Sequence, residues 1–214
     1  MIYWILLIII AIVAYCFGSI SSISIASQYV FRSNLRKLGK GNAALSNFRR
    51  IYGTKGLLMM LGTEVVKDLV PLLFGGLLMG LKDHADVGFA FAGFCLIMGR
   101  LWPVFNRLRG SHAAICVIVM AFCCKFSLGM TALVVTAAVI WLTKYVSVGT
   151  VAGAAAMAVI AVLALDERLV ILLCVFAGAA VIVKHIPALS RVLNGKETKL
   201  SLEEDITYKL DNKF

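Results

Sequence analysis

The chain has 214 residues, is 61% hydrophobic and carries a net charge of +10, with a mean hydropathy of +0.95. An apolar share well above the roughly half that is usual for a soluble domain excludes an ordinary soluble fold and points to one compact membrane bundle. It also makes headgroup attraction and cytoplasmic-loop bias the better account of the basic charge than nucleic acid, which is not expected as a partner.

Spans of about 20 mostly apolar residues can be read at 2–23, 57–80, 87–106, 112–126, 128–146, 148–165 and 168–184. These runs are continuous rather than alternating, which argues for helices and against a β-barrel. The predicted fold class is therefore an all-α integral membrane protein with seven transmembrane helices. The domain covers residues 1–195, and a short charged cytoplasmic tail covers 196–214. Charge tests the count. With seven spans, the connections at 32–55, 100–112 and 144–147 share a side with the chain from 184 onward, and together they hold 17 of the 21 Lys and Arg. The other side has Lys82, Lys125 and Arg168 against Asp83, Asp86, Asp166 and Glu167. By the positive-inside rule the N-terminus is outside and the C-terminus cytoplasmic. Residues 2–14 are apolar, but no basic region precedes them and no small-x-small site clearly follows, so a cleaved leader is not expected.

The first polar passage in chain order is "KLGKGNAALSNFRR", residues 37–50. It has no acid. Gly39 and Gly41 allow close backbone approach, Asn42, Ser46 and Asn47 bring short donors, and Arg49 and Arg50 bring charge. That composition suits an anion cradle, with phosphate the commonest candidate, and also suits a plain basic loop with turn glycines. No Gly-Lys-Ser/Thr ends it, so it is not a Walker loop.

Next comes "EVVKD", residues 64–68. Glu64, Lys67 and Asp68 are spaced to share one helical face. Charges inside a span must face protein or water, so pairing with basic residues of another helix is expected. "GRLWPVFNRLRGSHA", residues 99–113, sets Arg100 near the end of a span, then Pro103, Arg107, Arg109 and His112. Arg100 is a functional candidate by its depth, or a side chain that snorkels to the headgroups.

Several chemistries find no support. No Cys-x-x-Cys pair occurs among the six cysteines, and no His lies beside them as in a zinc site, so neither a metal nor another cofactor is expected. There is no Gly-x-Ser-x-Gly elbow or His-x-x-Glu-His. Five residues after His84, His112 and His185 stand Phe89, Val117 and Ser190, so the His-x-x-x-x-Asp acyltransferase signature is missing as well. No inverted repeat suggests a transporter.

Taken in order, these stretches resemble the bacterial acyl-phosphate:glycerol-3-phosphate acyltransferases of the PlsY type, from "FGSI" (17–20) to "RVLNGKE" (191–197). The first family motif, Gly-Ser-Gly-Asn-x-Gly-x-Thr-Asn, faces "GKGNAALSN" (39–47), with Arg50 three residues further. The second, Gly-His-x-Phe-Pro-x-Phe followed by Gly-Gly-Lys-Gly, faces "GRLWPVF" and then "GSHA" (110–113). A Tyr-x-Ser element faces "YVS" (145–147), and His-x-x-Asn-Ile-x-Arg-Leu-x-x-Gly faces "HIPALSRVLNG" (185–195). Lys40 stands at the motif serine, Arg100 at the motif histidine, His112 at the second motif's lysine, Ala188 at the last motif's asparagine and Ala44 at a motif glycine.

The resemblance implies a seven-span enzyme of the bacterial inner membrane. It would move a fatty acyl group from acyl phosphate to the 1-hydroxyl of glycerol 3-phosphate, or of a related phosphorylated alcohol, giving lysophosphatidate and phosphate. The substrate-binding residues it implies are Gly41, Asn42, Ser46, Asn47, Arg50, Arg100, Gly110, His112, Ser147 and His185. The catalytic candidates are Lys40, Arg100, His112, Ser147 and His185. The substituted motif positions leave a second reading open, a non-catalytic paralogue that binds anionic lipid or acyl phosphate or regulates an authentic acyltransferase.

Overall fold

The computed structural model describes residues 2–21, 45–106, 110, 113–197 and 199–200, with the backbone alone at 2, 45–48, 50 and 106. Among the described residues it is all-α. The helices are α1 (Ile2–Ser19), α2 (Leu45–Gly80), α3 (Ala85–Leu101), α4 (Ala114–Cys124), α5 (Phe126–Thr143), α6 (Val146–Ala164) and α7 (Arg168–Leu193), with a 3-10 turn at Val104–Asn106. Three of them, α5, α6 and α7, are long and apolar enough to cross a bilayer. The molecule is apolar outside as well as inside: Trp4, Ile8 and Ile12 of α1, Leu77 of α2, Trp141 of α5 and Phe176 of α7 are all exposed. Such a surface is stable against lipid, where helices satisfy their own backbone groups.

Each expected span has a helix, with shifted ends. The second helix begins at Leu45 rather than 57, and it breaks at Gly53, the one non-helical residue inside it (φ 70°). The third ends at Leu101 rather than 106. Pro103 has no N–H to donate and disfavours helical backbone at Trp102, which takes φ −129°, ψ 66°. The fourth has only 11 residues and stops at Lys125, whose extended backbone (φ −162°) separates it from α5. The seventh was expected to end at 184 but runs to Leu193 through Pro187; a proline removes only one intrahelical bond, and near a helix end that loss is tolerable.

α3 is the central helix, packed against α1, α2, α4 and α7. It runs parallel to α1. The Tyr3 and His84 rings meet at one end, 6.3 Å between centroids, and the Tyr15 hydroxyl donates to the Trp102 carbonyl at 2.7 Å near the other. Glycines make this contact possible, since a Cβ at Gly18 or Gly99 would collide with the Leu96 or Tyr15 carbonyl oxygen of the facing helix. Gly149 and Gly153, four apart on α6, face Thr136 of α5 within the chain.

Two ends of the bundle can be distinguished by what meets there. At one, Lys125 Nζ donates to the Ala164 carbonyl at 2.6 Å, joining the α4–α5 break to the end of α6. At the other, the N–H of Leu200 donates to the Lys144 carbonyl at 2.7 Å, and Gly110 lies against the Arg100 and Leu101 carbonyls. The second end carries Trp102, the α5–α6 turn and the chain after α7. It is the end to which the sequence assigns the basic connections.

Candidate active site

A face of α2 carries Glu64, Lys67 and Asp68 because residues three and four apart stack on one side of a helix. In the bundle that face meets the last turn of α3. Arg100, 3% exposed, is ion-paired through Nη1 to Glu64 and through Nη2 to Asp68 at 3.4 Å. Asp68 is fully buried and also takes Lys67 Nζ at 3.2 Å and the Cys116 thiol of α4 at 3.0 Å. Lys67 Nζ donates in addition to the Ile20 carbonyl at 3.1 Å, at the end of α1. Two acids and two bases thus balance. Burying charge without such balance is prohibitive, and the pairing expected for this face is met by Arg100.

The cluster therefore joins the roots of both basic loops. Ile20 leads into the first, and Arg100 stands just before the second. At the second root Gly110 is required, since a Cβ there would strike the Leu101 carbonyl oxygen. Arg100 Nε is buried with no hydrogen-bond partner among the described residues.

Ser147 lies in the first turn of α6, 1% exposed. Its hydroxyl likewise has no partner among the described residues. A buried hydroxyl left unmatched costs about 1–3 kcal/mol, so one that persists is a candidate for a ligand contact. His185 is buried on α7, with Nδ1 2.8 Å from the Val181 carbonyl. Its neighbour Lys184 holds Nζ 5.0 Å from the Trp102 ring centre, which pins α7 to the end of α3.

Next to these groups lies an apolar groove of about 390 Å³ between α2, α4 and α5. Leu61 and Val65, Ile118, and Leu133 and Ala137 form its walls. Glu64 and Thr136 are its polar residues, and Val146 and Leu200 line it beside Ser147. Glu64 thus touches both the ion cluster and the groove. Nothing in the sequence marks the groove: its residues are ordinary span residues whose convergence depends on how three helices pack.

Of the site residues expected from the sequence, Arg100, Gly110, Ser147 and His185 lie at one end of the bundle. Lys40, Gly41, Asn42 and His112 lie outside the described residues. Ser46, Asn47 and Arg50 fall on the first turns of α2, where the backbone alone is described. Among the described residues no three His, Cys, Asp or Glu are grouped to hold a metal.

The fold and the buried polar cluster define an all-α membrane protein with an amphiphilic pocket, an apolar groove that ends at charged and hydroxyl-bearing side chains. The family model for glycerol-3-phosphate acyltransferase matches residues 8–195; the chain belongs to that family. The glycerol-3-phosphate acyltransferase of Thermoanaerobacter pseudethanolicus is 29% identical over 196 residues, covering 92% of this chain and 96% of the relative. That of Clostridioides difficile is 28% identical over 201 residues, covering 92% and 97%. The solved integral membrane acyltransferase PlsY, in its glycerol 3-phosphate form, superposes with a TM-score of 0.73 at 21% identity, over 91% of this chain and 96% of that one. Its lysophosphatidic acid form gives 0.75 at 20% identity, over 94% and 98%.

Proposed function

We propose that this chain transfers a fatty acyl group from acyl phosphate to the 1-hydroxyl of glycerol 3-phosphate, or of a closely related phosphorylated alcohol, in a bacterial inner membrane. The observation that carries this reading is the junction of the apolar groove with the buried polar end of the bundle, where Glu64 lines the groove and pairs with Arg100. An acyl phosphate has the same division: a chain that belongs in lipid and a phosphate that belongs among donors.

In this reading the acyl chain lies along Leu61, Ile118 and Ala137, and its carbonyl reaches the Ser147 end. The phosphate groups take the first loop, with Lys40, Gly41 and Asn42, and the start of α2, with Ser46, Asn47 and Arg50, together with His112 and the Ser147 hydroxyl. His185 borders the pocket. Arg100 acts indirectly: Glu64 and Asp68 already neutralise its guanidinium, so it fixes the start of the second loop rather than supplying a free cation. The acceptor hydroxyl attacks the acyl carbon, the acyl–oxygen bond to phosphate breaks, and the hydroxyl proton ends on the departing phosphate. An anhydride is already activated, so positioning and charge stabilisation at the developing oxyanion supply the acceleration without a protein nucleophile.

The same reading places seven helices across the membrane, with the N-terminus outside and the C-terminus cytoplasmic. The basic connections then sit with the phosphate substrates. Impermeant thiol labelling of single cysteines placed in the 81–84 and 144–145 connections checks the orientation, which fails if both label from the same side.

Purified protein given palmitoyl phosphate and glycerol 3-phosphate is expected to release phosphate and form lysophosphatidate in equal amounts. Absence of both products with every phosphorylated polyol tried would overturn the proposal and leave the non-catalytic reading.

A further inference from the structure

The chain turns back on itself after α7. Asn194 Nδ2 donates to the Ser190 carbonyl at 2.8 Å. Gly195 takes a left-handed backbone (φ 65°), which a glycine adopts without a Cβ penalty. Arg191 Nε donates to the Glu197 carboxylate at 2.7 Å, holding the returning segment against the helix it has just left. The segment then reaches the α5–α6 turn. There the Leu200 N–H donates to the Lys144 carbonyl at 2.7 Å, and Lys199 Nζ lies 5.8 Å from the Tyr145 ring centre.

Three tethers of different kinds thus deliver one apolar side chain to one place. Leu200, half-buried, lines the groove next to Val146, the residue before Ser147. The family match ends at residue 195, so this wall of the groove is built by residues beyond it.

We propose that Glu197, Lys199 and Leu200 act as a strap that seats Leu200 over the polar end of the groove and keeps water from the acyl carbonyl. The inference rests on the groove's being the acyl site. An acyl phosphate is a mixed anhydride, and water competes with the acceptor hydroxyl for its acyl carbon. In that side reaction a water oxygen bonds to the acyl carbon and the acyl–oxygen bond to phosphate breaks. A fatty acid carboxylate, phosphate and a proton are released and the activated acyl group is wasted. Excluding water from a reactive intermediate is a recognised task of an active-site cover. An aliphatic side chain suits it, since it occupies the opening without offering a hydrogen bond to water. The tether to the Lys144 carbonyl is a backbone bond, so it fixes the height of Leu200 whatever its side chain.

The test measures partitioning rather than rate. With palmitoyl phosphate and glycerol 3-phosphate, the ratio of free palmitate to lysophosphatidate is followed for the full-length chain, Leu200→Ser and Leu200→Met. The strap predicts a ratio raised about tenfold in Leu200→Ser and near the parent value in Leu200→Met. A ratio unchanged in Leu200→Ser, or both products lowered together, overturns it. A second arm needs no turnover. Leu200→Cys is labelled with an impermeant maleimide, with and without hexadecyl phosphate, against the parent chain as blank. Slower labelling with the ligand is expected, and identical rates overturn the proposal. Absence of turnover in the parent chain would count against the acyltransferase reading alone, while the labelling arm still decides whether the strap covers an alkyl phosphate.

Discussion

Asp68 and Arg100 form a buried pair between α2 and α3, 3.4 Å apart, with Asp68 fully buried and Arg100 3% exposed. In the resemblance read from the sequence, Arg100 faces the histidine of the family motif. The substitution turns a group that can be neutral into a permanent cation. A permanent cation at that depth needs counter-charges, and Glu64 and Asp68 provide two from one helical face.

Removing one partner should therefore cost far more than the pair contributes. Asp68→Ala is expected to destabilise the protein by about 3–5 kcal/mol, because a buried guanidinium loses a counter-charge. Thermal unfolding in detergent measures this. The double variant Asp68→Asn with Arg100→Gln should fall short of the sum of its single costs, and strict additivity would show that the two residues are not coupled.

Ser147 separates stability from activity. Its hydroxyl is buried without a partner among the described residues, so Ser147→Ala should leave the unfolding temperature unchanged or slightly raised. The proposed phosphate contact predicts a kcat/KM lowered by about 10- to 100-fold, or roughly 1.4–2.8 kcal/mol of transition-state binding. Unchanged kinetics would remove Ser147 from the site.

The groove predicts chain-length selection. Ala137 is exposed along it, so Ala137→Trp narrows the groove without filling the core. Turnover of palmitoyl phosphate should fall by about tenfold or more while a shorter donor such as octanoyl phosphate is less affected. Equal losses for the two donors would place the acyl chain elsewhere.

Gly110 tests the root of the second loop. A Cβ there meets the Leu101 carbonyl oxygen, so Gly110→Ala must shift the loop. We expect a raised KM for glycerol 3-phosphate with modest loss of stability, on the order of 1 kcal/mol. A parent-like KM in steady-state assays would show that the loop's position is not critical to the acceptor.

Much of the architecture was written in the chain itself. Continuous apolar runs specify helices in lipid because no other open structure satisfies its backbone there. Each of the seven expected spans has a helix, and the all-α membrane class follows. Helix ends were less legible. The stop at Leu101 follows from Pro103, but the run of α7 through Pro187 to Leu193 does not follow from hydropathy. The spacing of Glu64, Lys67 and Asp68 announced a charged face seeking a partner. The ordered motif remnants pointed to the family.

What the sequence could not state was which residue that face meets. Glu64 and Arg100 are far apart along the chain, and only the packing of α2 against α3 sets the register that joins them. The same holds for the groove. Leu61, Ile118 and Ala137 look like any other residues of apolar spans until three helices bring them together. Leu200 looks like part of a polar tail until the turn at Gly195 carries it to Val146. Hydropathy, charge bias and helical spacing are local properties, readable within one turn or one span. Partner choice and cavity shape depend on contacts between distant segments, and those the tertiary structure alone decided.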